Sequence, residues 1–169
     1  MRENMKYLSA VRKIETGSQI RELGDYCFCS FFRMENITMG NAVEWGNGVV
    51  KECCSLKFLG MPEGKEMLPS YFCDGCVQLE HISFPHTVTR LWDYVFDKCT
   101  ALQEVTLPDD VTDIGRHVFE NCSCMTEMIL SSMLKRIGGQ VFQECRILEK
   151  VVIPDGIDEI VDSMFSGCY

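Results

Sequence analysis

The stretch "DVTDIGRHVFENC", residues 110–122, decides the fold, because the chain repeats its pattern on either side at a constant distance. "TVTRLWDYVFDKC", residues 87–99, precedes it by 23 residues, and "MLKRIGGQVFQEC", residues 133–145, follows it by 23. Each copy ends on cysteine. The same interval of 23 residues separates the members of a cysteine series: Cys53, Cys76, Cys99, Cys122, Cys145 and Cys168. A fixed period of this length predicts a repeat architecture, in which each unit is one coil of a stack.

Each unit contains the period of a strand. In "LQEVTLP", residues 102–108, Val105 and Leu107 alternate with polar residues, which predicts a short strand with one buried face. Pro108 ends this strand, because proline has no N–H to donate to a ladder. One unit cannot bury its apolar side chains alone, but stacked units can, with each coil adding a parallel strand.

Each unit then continues into a tight apolar turn. Val118, Phe119 and Cys122 fall at positions i, i+1 and i+4, a spacing that suits a helical or 3₁₀ turn. Phe119 and its counterpart Phe142 are therefore predicted to be buried. The recurring cysteine is interpreted as a packing residue, since a small and weakly hydrogen-bonding thiol fits a buried turn.

The repeats predict a single domain. Seven units begin near residues 11, 34, 56, 79, 102, 125 and 148. Residues 11–169 then form one solenoid, and residues 1–10 form an N-terminal cap or a frayed end. The second unit, with Val43 among its apolar positions, is one residue short. With that slip, Trp45 takes the place of Ile114 and is predicted to lie in the core.

The full pattern of the unit resembles a known repeat. The motif L-x-x-V-x-L-P-x-x-V-x-x-I-G-x-x-V-F-x-x-C runs through about residues 11–168 and is similar to the leucine-rich repeat of the BspA-like family. The resemblance implies an α/β solenoid: a right-handed superhelix with a parallel β-sheet on its concave face. It also implies a role as a binding surface, often at bacterial or protist cell surfaces.

Charge and composition limit the classes of partner and the cellular location that are expected. Sixteen basic and twenty-five acidic side chains give a net charge of -9, which disfavours nucleic acid and favours a partner protein with a basic surface. The sequence contains no run of eighteen apolar residues, so no membrane span is predicted. Its first residues do not have the pattern of a secretory signal. A cytoplasmic location is expected, or the cell surface if the chain is truncated.

Three of the five cysteines outside the series are the better candidates for exposed thiols: Cys29, Cys54 and Cys124. The chain has an odd number of cysteines, eleven, and no visible leader, so reduced thiols are expected, although the redox state of these three stays open. "CDGC", residues 73–76, is a single C-x-x-C without the further ligand spacing of a zinc site, so no metal is predicted.

The sequence contains no recognisable catalytic motif. None of the three histidines belongs to a nucleophile–base–orienter pattern, and His117 is interpreted as a surface residue. Glycine-rich phosphate loops and nucleophile elbows are lacking as well. The prediction is a non-enzymatic protein without a cofactor.

The outward positions of the predicted strands form the candidate partner-binding site. Acidic side chains cluster there, and large apolar residues occupy positions where the alternation requires exposure, an arrangement typical of binding anchors. The residues of this site are Phe58, Glu80, His81, Glu104, Glu127, Ile129, Lys150 and Val152. Trp92, which replaces the glycine of the repeat, is a candidate contact on the flank.

Two interpretations of function remain open. The first is an interaction module whose acidic surface binds, and in one version inhibits, a basic protein. The alternative is a fragment of a bacterial or protist cell-surface adhesin or host-interaction protein. The last unit has no polar capping repeat, which indicates either truncation or end-to-end pairing in a homodimer.

Overall fold

The computed structural model describes residues 10–40 and 44–169 of the chain. The expected cap at residues 1–10, apart from Ala10, and the apolar position Val43 lie outside this described part. The strands are β1 (Lys13–Glu15), β2 (Glu22–Leu23), β3 (Asn36–Thr38), β4 (Glu44–Trp45), β5 (Phe58–Gly60), β6 (Met67–Leu68), β7 (His81–Ser83), β8 (Arg90–Leu91), β9 (Asp113–Ile114), β10 (Glu127–Ile129), β11 (Arg136–Ile137) and β12 (Lys150–Val152).

The strands line two sides of each coil. Three-residue strands form the long-strand side (β1, β3, β5, β7, β10 and β12), and two-residue strands form the short-strand side (β2, β4, β6, β8, β9 and β11). Every pairing is parallel, and partners lie one coil apart, as in Phe58 opposite His81 and Leu68 opposite Leu91. The chain is therefore a parallel β-solenoid of about six turns. The expected count of seven coils is not confirmed.

The long-strand side is not one continuous sheet. Its strands form the separate pairs β1–β3, β5–β7 and β10–β12. In the coil between β7 and β10, only Thr106 pairs, through an isolated bridge to Ile129. The strand predicted around Val105 is thus reduced to a single bridging residue, and the predicted concave sheet is divided there.

The third side of each coil, the turn side, consists of consecutive turns. No helix occurs within residues 10–40 and 44–169, so the helical part of the α/β prediction is not confirmed. The physical reason is the backbone conformation: His117 and Asn121 have φ angles of 57° and 59°, in the left-handed region, which interrupts a right-handed helix. Alternate N–H groups donate instead to the next coil, as from Phe119 to the carbonyl of Val141 at 3.0 Å.

Aromatic rings stack along the axis of the solenoid. Phe96, Phe119 and Phe142 are fully buried, and their ring centroids are 5.5 and 5.9 Å apart along the stack. The predicted burial of Phe119 and Phe142 is confirmed. Trp45 is half-buried and stacks on Phe72 at 4.9 Å, so it packs against the core from its edge.

The cysteine series forms a second ladder inside the stack. Each thiol donates to a backbone carbonyl of the preceding coil, as from Cys122 Sγ to Phe96 O at 3.3 Å and from Cys145 Sγ to Phe119 O at 3.1 Å. A thiol satisfies this carbonyl without placing a strongly polar group in the core. The predicted packing role is confirmed by full burial of Cys53, Cys76, Cys99, Cys122 and Cys145, while Cys168 is half-buried.

The cysteines outside the series are less exposed than expected. All eleven cysteines are free. Cys29, Cys54 and Cys124 are half-buried, and the exposed thiol is that of Cys27, which the sequence pattern did not single out. Burial partly shields even this residue and raises the pKa of Cys27 above its usual range.

We expect thiol reagents to distinguish the exposed Cys27 from the buried cysteines of the series. Burial raises the pKa of Cys145 to about 12, and it raises the pKa of Cys122 as well, so little thiolate forms at either position. A colorimetric disulfide reagent at about pH 8 should modify Cys27 in the folded protein, leave the five fully buried cysteines of the series intact, and reach every cysteine after unfolding in urea. Rapid modification of Cys122 in the folded protein would contradict the burial of the series.

Candidate binding surfaces

The long-strand side places the predicted partner-binding residues on one surface. Middle residues of these strands point inward, whereas the first and third point outward, as in β10, where Met128 is buried between exposed Glu127 and Ile129. Phe58, Ile129 and Val152 are 52%, 59% and 42% exposed. The predicted exposure of these three apolar side chains is confirmed, and their role in binding stays a prediction.

Strand register divides these residues into two groups. Phe58 lies opposite His81 in the β5–β7 pair, and Glu80 directly precedes His81. In the β10–β12 pair, Glu127 lies opposite Lys150 and Ile129 opposite Val152. The coil that carries Glu104 and the isolated bridge of Thr106 lies between the two groups.

Neighbouring lysines neutralise part of the predicted acidic cluster. Lys57 Nζ lies 3.5 Å from Glu80 Oε1, and Lys150 Nζ lies 3.9 Å from Glu127 Oε2. These pairs are exposed, and exposed pairs contribute little to stability, but they offset the local negative charge. The surface is therefore less uniformly acidic than the sequence predicts.

A depression marks the interrupted part of the long-strand side. It encloses about 380 Å³ beside the bridge between Thr106 and Ile129. Carboxylates and hydroxyls share its lining with apolar side chains; the lining residues are Glu104, Val105, Thr106, Leu107, Asp109, Glu127, Ile129, Leu130, Ser131 and Ser132. An apolar contact area with carboxylates at its edge suits the aliphatic stem and charged end of a lysine or arginine.

The short-strand side carries a second groove that the sequence pattern did not predict. Its volume is about 390 Å³, and it lies along β8, β9 and β11, with Trp92, Gly115 and Gly138 among the residues that line it. Trp92 is 46% exposed, which agrees with its predicted place on the flank. Its Nε1–H donates to Met67 Sδ at 3.4 Å, so the indole is held against the neighbouring coil.

An ion-pair row borders this groove. Arg90 Nε lies 3.6 Å from Asp113 Oδ2, and Arg136 Nε donates to Asp113 Oδ1. Burial is the largest single influence and acts to raise the pKa of Asp113, but hydrogen bonds from Thr112 and Arg136, together with the charges of Arg136 and Arg90, outweigh it and lower the pKa. Asp113 is therefore ionised at neutral pH and holds both guanidinium groups in place.

On the turn side, polar and aromatic side chains contact one another. Tyr94 stacks between Tyr71 and His117, with centroids 4.9 and 4.4 Å away, and Glu120 Oε2 lies 2.6 Å from His117 Nδ1. His117, interpreted from the sequence as a surface residue, is thus largely enclosed, with 15% of its side chain exposed. A lysine, Lys51, covers the outer face of Tyr71 at 4.9 Å from the ring centroid.

Two buried carboxylates accompany this stack. Asp74 Oδ2 lies 2.6 Å from Lys51 Nζ, and Asp97 Oδ2 lies 2.5 Å from Lys98 Nζ. The hydrogen bond that each lysine donates to its carboxylate raises the pKa of that lysine. Buried charges of this kind need such partners, so we interpret the cluster as structural.

The described residues do not bring together a metal-binding group. Within residues 10–40 and 44–169, no cluster of three or more histidine, cysteine or acidic side chains could hold a metal ion. The same part of the chain has no helix that is long and apolar enough to cross a membrane.

Comparisons with known proteins match the repeat. A family model described as BspA type leucine-rich repeat region, in six copies, matches residues 3–73 and 43–169. No curated protein matches the chain.

Solved structures share the fold. The leucine-rich repeat protein of T. pallidum is 23% identical with a TM-score of 0.67, over 93% of this chain and 65% of that one. A leucine-rich repeat protein from Bacteroides ovatus is 21% identical with a TM-score of 0.78, over 95% of this chain and 47% of that one. A leucine-rich cell surface protein from Faecalibacterium prausnitzii is 15% identical with a TM-score of 0.50, over 94% of this chain and 73% of that one. This chain thus spans 65% and 47% of the first two proteins.

Proposed function

The chain belongs to the BspA-type leucine-rich repeat family, and from this premise we propose that it is a non-catalytic module whose long-strand side binds another protein. The observation that carries the proposal is the exposure of Phe58, Ile129 and Val152 on the strands of one side. Exposed aromatic and aliphatic side chains on a rigid scaffold are typical anchors of protein interfaces. No cofactor takes part in this function.

We propose a basic surface on the partner. The net charge of the chain is -9, and the depression beside Ile129 carries the carboxylates of Glu104, Asp109 and Glu127. Complementary charge accelerates encounter and selects the partner, whereas the apolar anchors slow dissociation. A module that covers a basic groove in this way would inhibit a protein that uses the groove for nucleic acid, without binding nucleic acid itself. The proposed location for this role is the cytoplasm, and the membrane is not a partner.

Charge reversal tests this proposal once affinity capture and mass spectrometry have identified the partner. The double variant Glu104→Lys and Glu127→Lys should slow association at least about tenfold and reduce its dependence on salt. The matched control is Asp158→Lys with Glu159→Lys, which changes the net charge equally at exposed positions away from the long-strand side. If both double variants slow association to the same extent, only the overall charge matters, and the proposed contact surface is wrong.

A second candidate function is adhesion at the cell surface. Its support is the similarity to the F. prausnitzii protein, which is described as a leucine-rich cell surface protein. Protease treatment of intact source cells, followed by detection of the chain, separates the two locations. Loss of the chain together with retention on extracellular matrix would favour the adhesin; survival of the chain would favour the cytoplasmic module.

We also propose that copies pair end to end. Ile160, 55% exposed, and Ile147, 48% exposed, lie in the final part of the repeat series. Sedimentation over a range of concentrations should show association that Ile147→Ser with Ile160→Ser weakens. A monomer at every concentration contradicts this pairing.

A further inference from the structure

We propose that the groove beside Trp92 is a second binding site, and that it takes a neutral pyranose sugar from a glycan. The groove lies on the short-strand side, whereas the proposed protein-binding residues lie on the long-strand side. The inference therefore does not depend on the proposed function, and either one can fail alone.

The shape of the groove fits a compact ring. Its volume of about 390 Å³ falls in the range of small-ligand sites. Gly115 and Gly138, which hold the place of Trp92 in the next two coils, also line the groove, so this part of its lining is backbone. Neither glycine carries a side chain that could cover this lining, because a Cβ at either position would collide with backbone of the preceding coil.

The lining of the groove matches the two kinds of surface on a pyranose. Sugar rings present an apolar face of C–H groups and a rim of hydroxyl groups. The exposed part of Trp92 offers an amphipathic aromatic surface for the C–H face. Arg90, Asp113 and Arg136 lie along the same groove and offer planar donors and acceptors for the hydroxyl groups.

The charges of the groove favour a neutral ligand. Two arginines, Arg90 and Arg136, face two carboxylates, Asp93 and Asp113, so the formal charges balance. Asp113 holds both guanidinium groups, and Asp93 Oδ1 accepts the backbone N–H of Arg116 at 2.8 Å. An anionic ligand would have to compete with Asp113 for Arg90 and Arg136. Hydroxyl groups can instead bind the guanidinium N–H groups that Asp113 leaves free.

A glycan array with neutral and acidic oligosaccharides tests this site. The folded wild-type chain should be retained by at least one neutral hexose-containing glycan, and Trp92→Ala should weaken that binding at least about tenfold. Trp92→Phe keeps an aromatic face and should restore part of it. Met133→Ala is the matched control, since Met133 is an exposed apolar residue, 50% accessible, that does not line this groove.

The variant Asp113→Asn gives a readout that a structural role would not change. Replacing the carboxylate frees Arg90 and Arg136, so preference should shift from neutral towards acidic glycans. Circular dichroism confirms that each variant is folded. The proposal is overturned if the wild type binds no neutral glycan on the array, if it binds acidic glycans alone, or if Trp92→Ala binds neutral glycans as the wild type does.

Discussion

Replacing Phe119 by alanine is expected to lower the free energy of unfolding by about 3–5 kcal/mol. The ring is fully buried and stacks on Phe96 and Phe142, so the change leaves a cavity and removes ring contacts on both sides. Neither neighbour can fill the space easily, because the backbone of each is held in its own coil by the hydrogen bonds between coils on the turn side. Chemical denaturation followed by circular dichroism measures the loss.

An exposed position provides the control for this variant. Gln103→Ala should change the free energy of unfolding by no more than about 0.5 kcal/mol. Glu120 and Gln143, which directly follow Phe119 and Phe142 in the sequence, are poorer controls. Glu120 lies 2.6 Å from His117, and Gln143 accepts a hydrogen bond from Gln140 at 2.7 Å. A loss below about 1 kcal/mol in Phe119→Ala would contradict the stacked core.

The second large effect is expected for Gly138→Ala, which should destabilise the fold by about 3 kcal/mol. A Cβ at Gly138 would lie 2.6 Å from the backbone carbonyl of Gly115 and from the N–H nitrogen of Arg116. These are backbone atoms of the preceding coil, so the coils would have to separate. Their close approach is visible in the 2.8 Å hydrogen bond from Gly138 N to Ile114 O. Chemical denaturation again measures the change.

Gly24→Ala is the matched control, because Gly24 takes the same place in the repeat and has no atom within 4 Å of an added Cβ among the described residues. It should be nearly neutral. Trp92 shows what a side chain at this place requires: its N–H lies 3.0 Å from Leu68 O, a longer contact than at Gly138. Equal stability of Gly138→Ala and Gly24→Ala would show that the coils separate freely.

The repeat itself could be predicted because its physical cause is local and recurs. Buried Phe119 and Cys122 return every 23 residues, so their shared environment follows from spacing alone. The chained turns that replace the predicted helical turn could not be predicted in the same way. The i, i+4 spacing of an apolar turn is common to a helix and to chained turns, and only the left-handed backbone of His117 and Asn121 distinguishes them.

The candidate sites depend on details that vary between coils. Exposure of Phe58 and Ile129 followed from strand alternation. The groove at Trp92 could not be predicted from strand alternation, because a two-residue strand is too short to show a period. A signal was present in the series Arg90, Asp113 and Arg136, where charges of opposite sign alternate at the repeat interval. Interpreting that series required knowing that successive coils lie directly side by side.

The hydrogen-bond ladder of the turn side also gives that side of the stack an electrical direction. Its N–H groups point from each coil to the next, as from Tyr94 to Arg116 O and from Phe142 to Met164 O. Peptide dipoles aligned in this way add, as they do in an α-helix, leaving partial positive charge at the C-terminal end of the ladder and partial negative charge at the other. On the short-strand side the N–H groups point the other way, as from Trp92 to Leu68 O and from Gly138 to Ile114 O. Opposite sides of each coil therefore carry opposed peptide dipoles, and each end of the stack presents free N–H groups on one side and free carbonyl groups on the other.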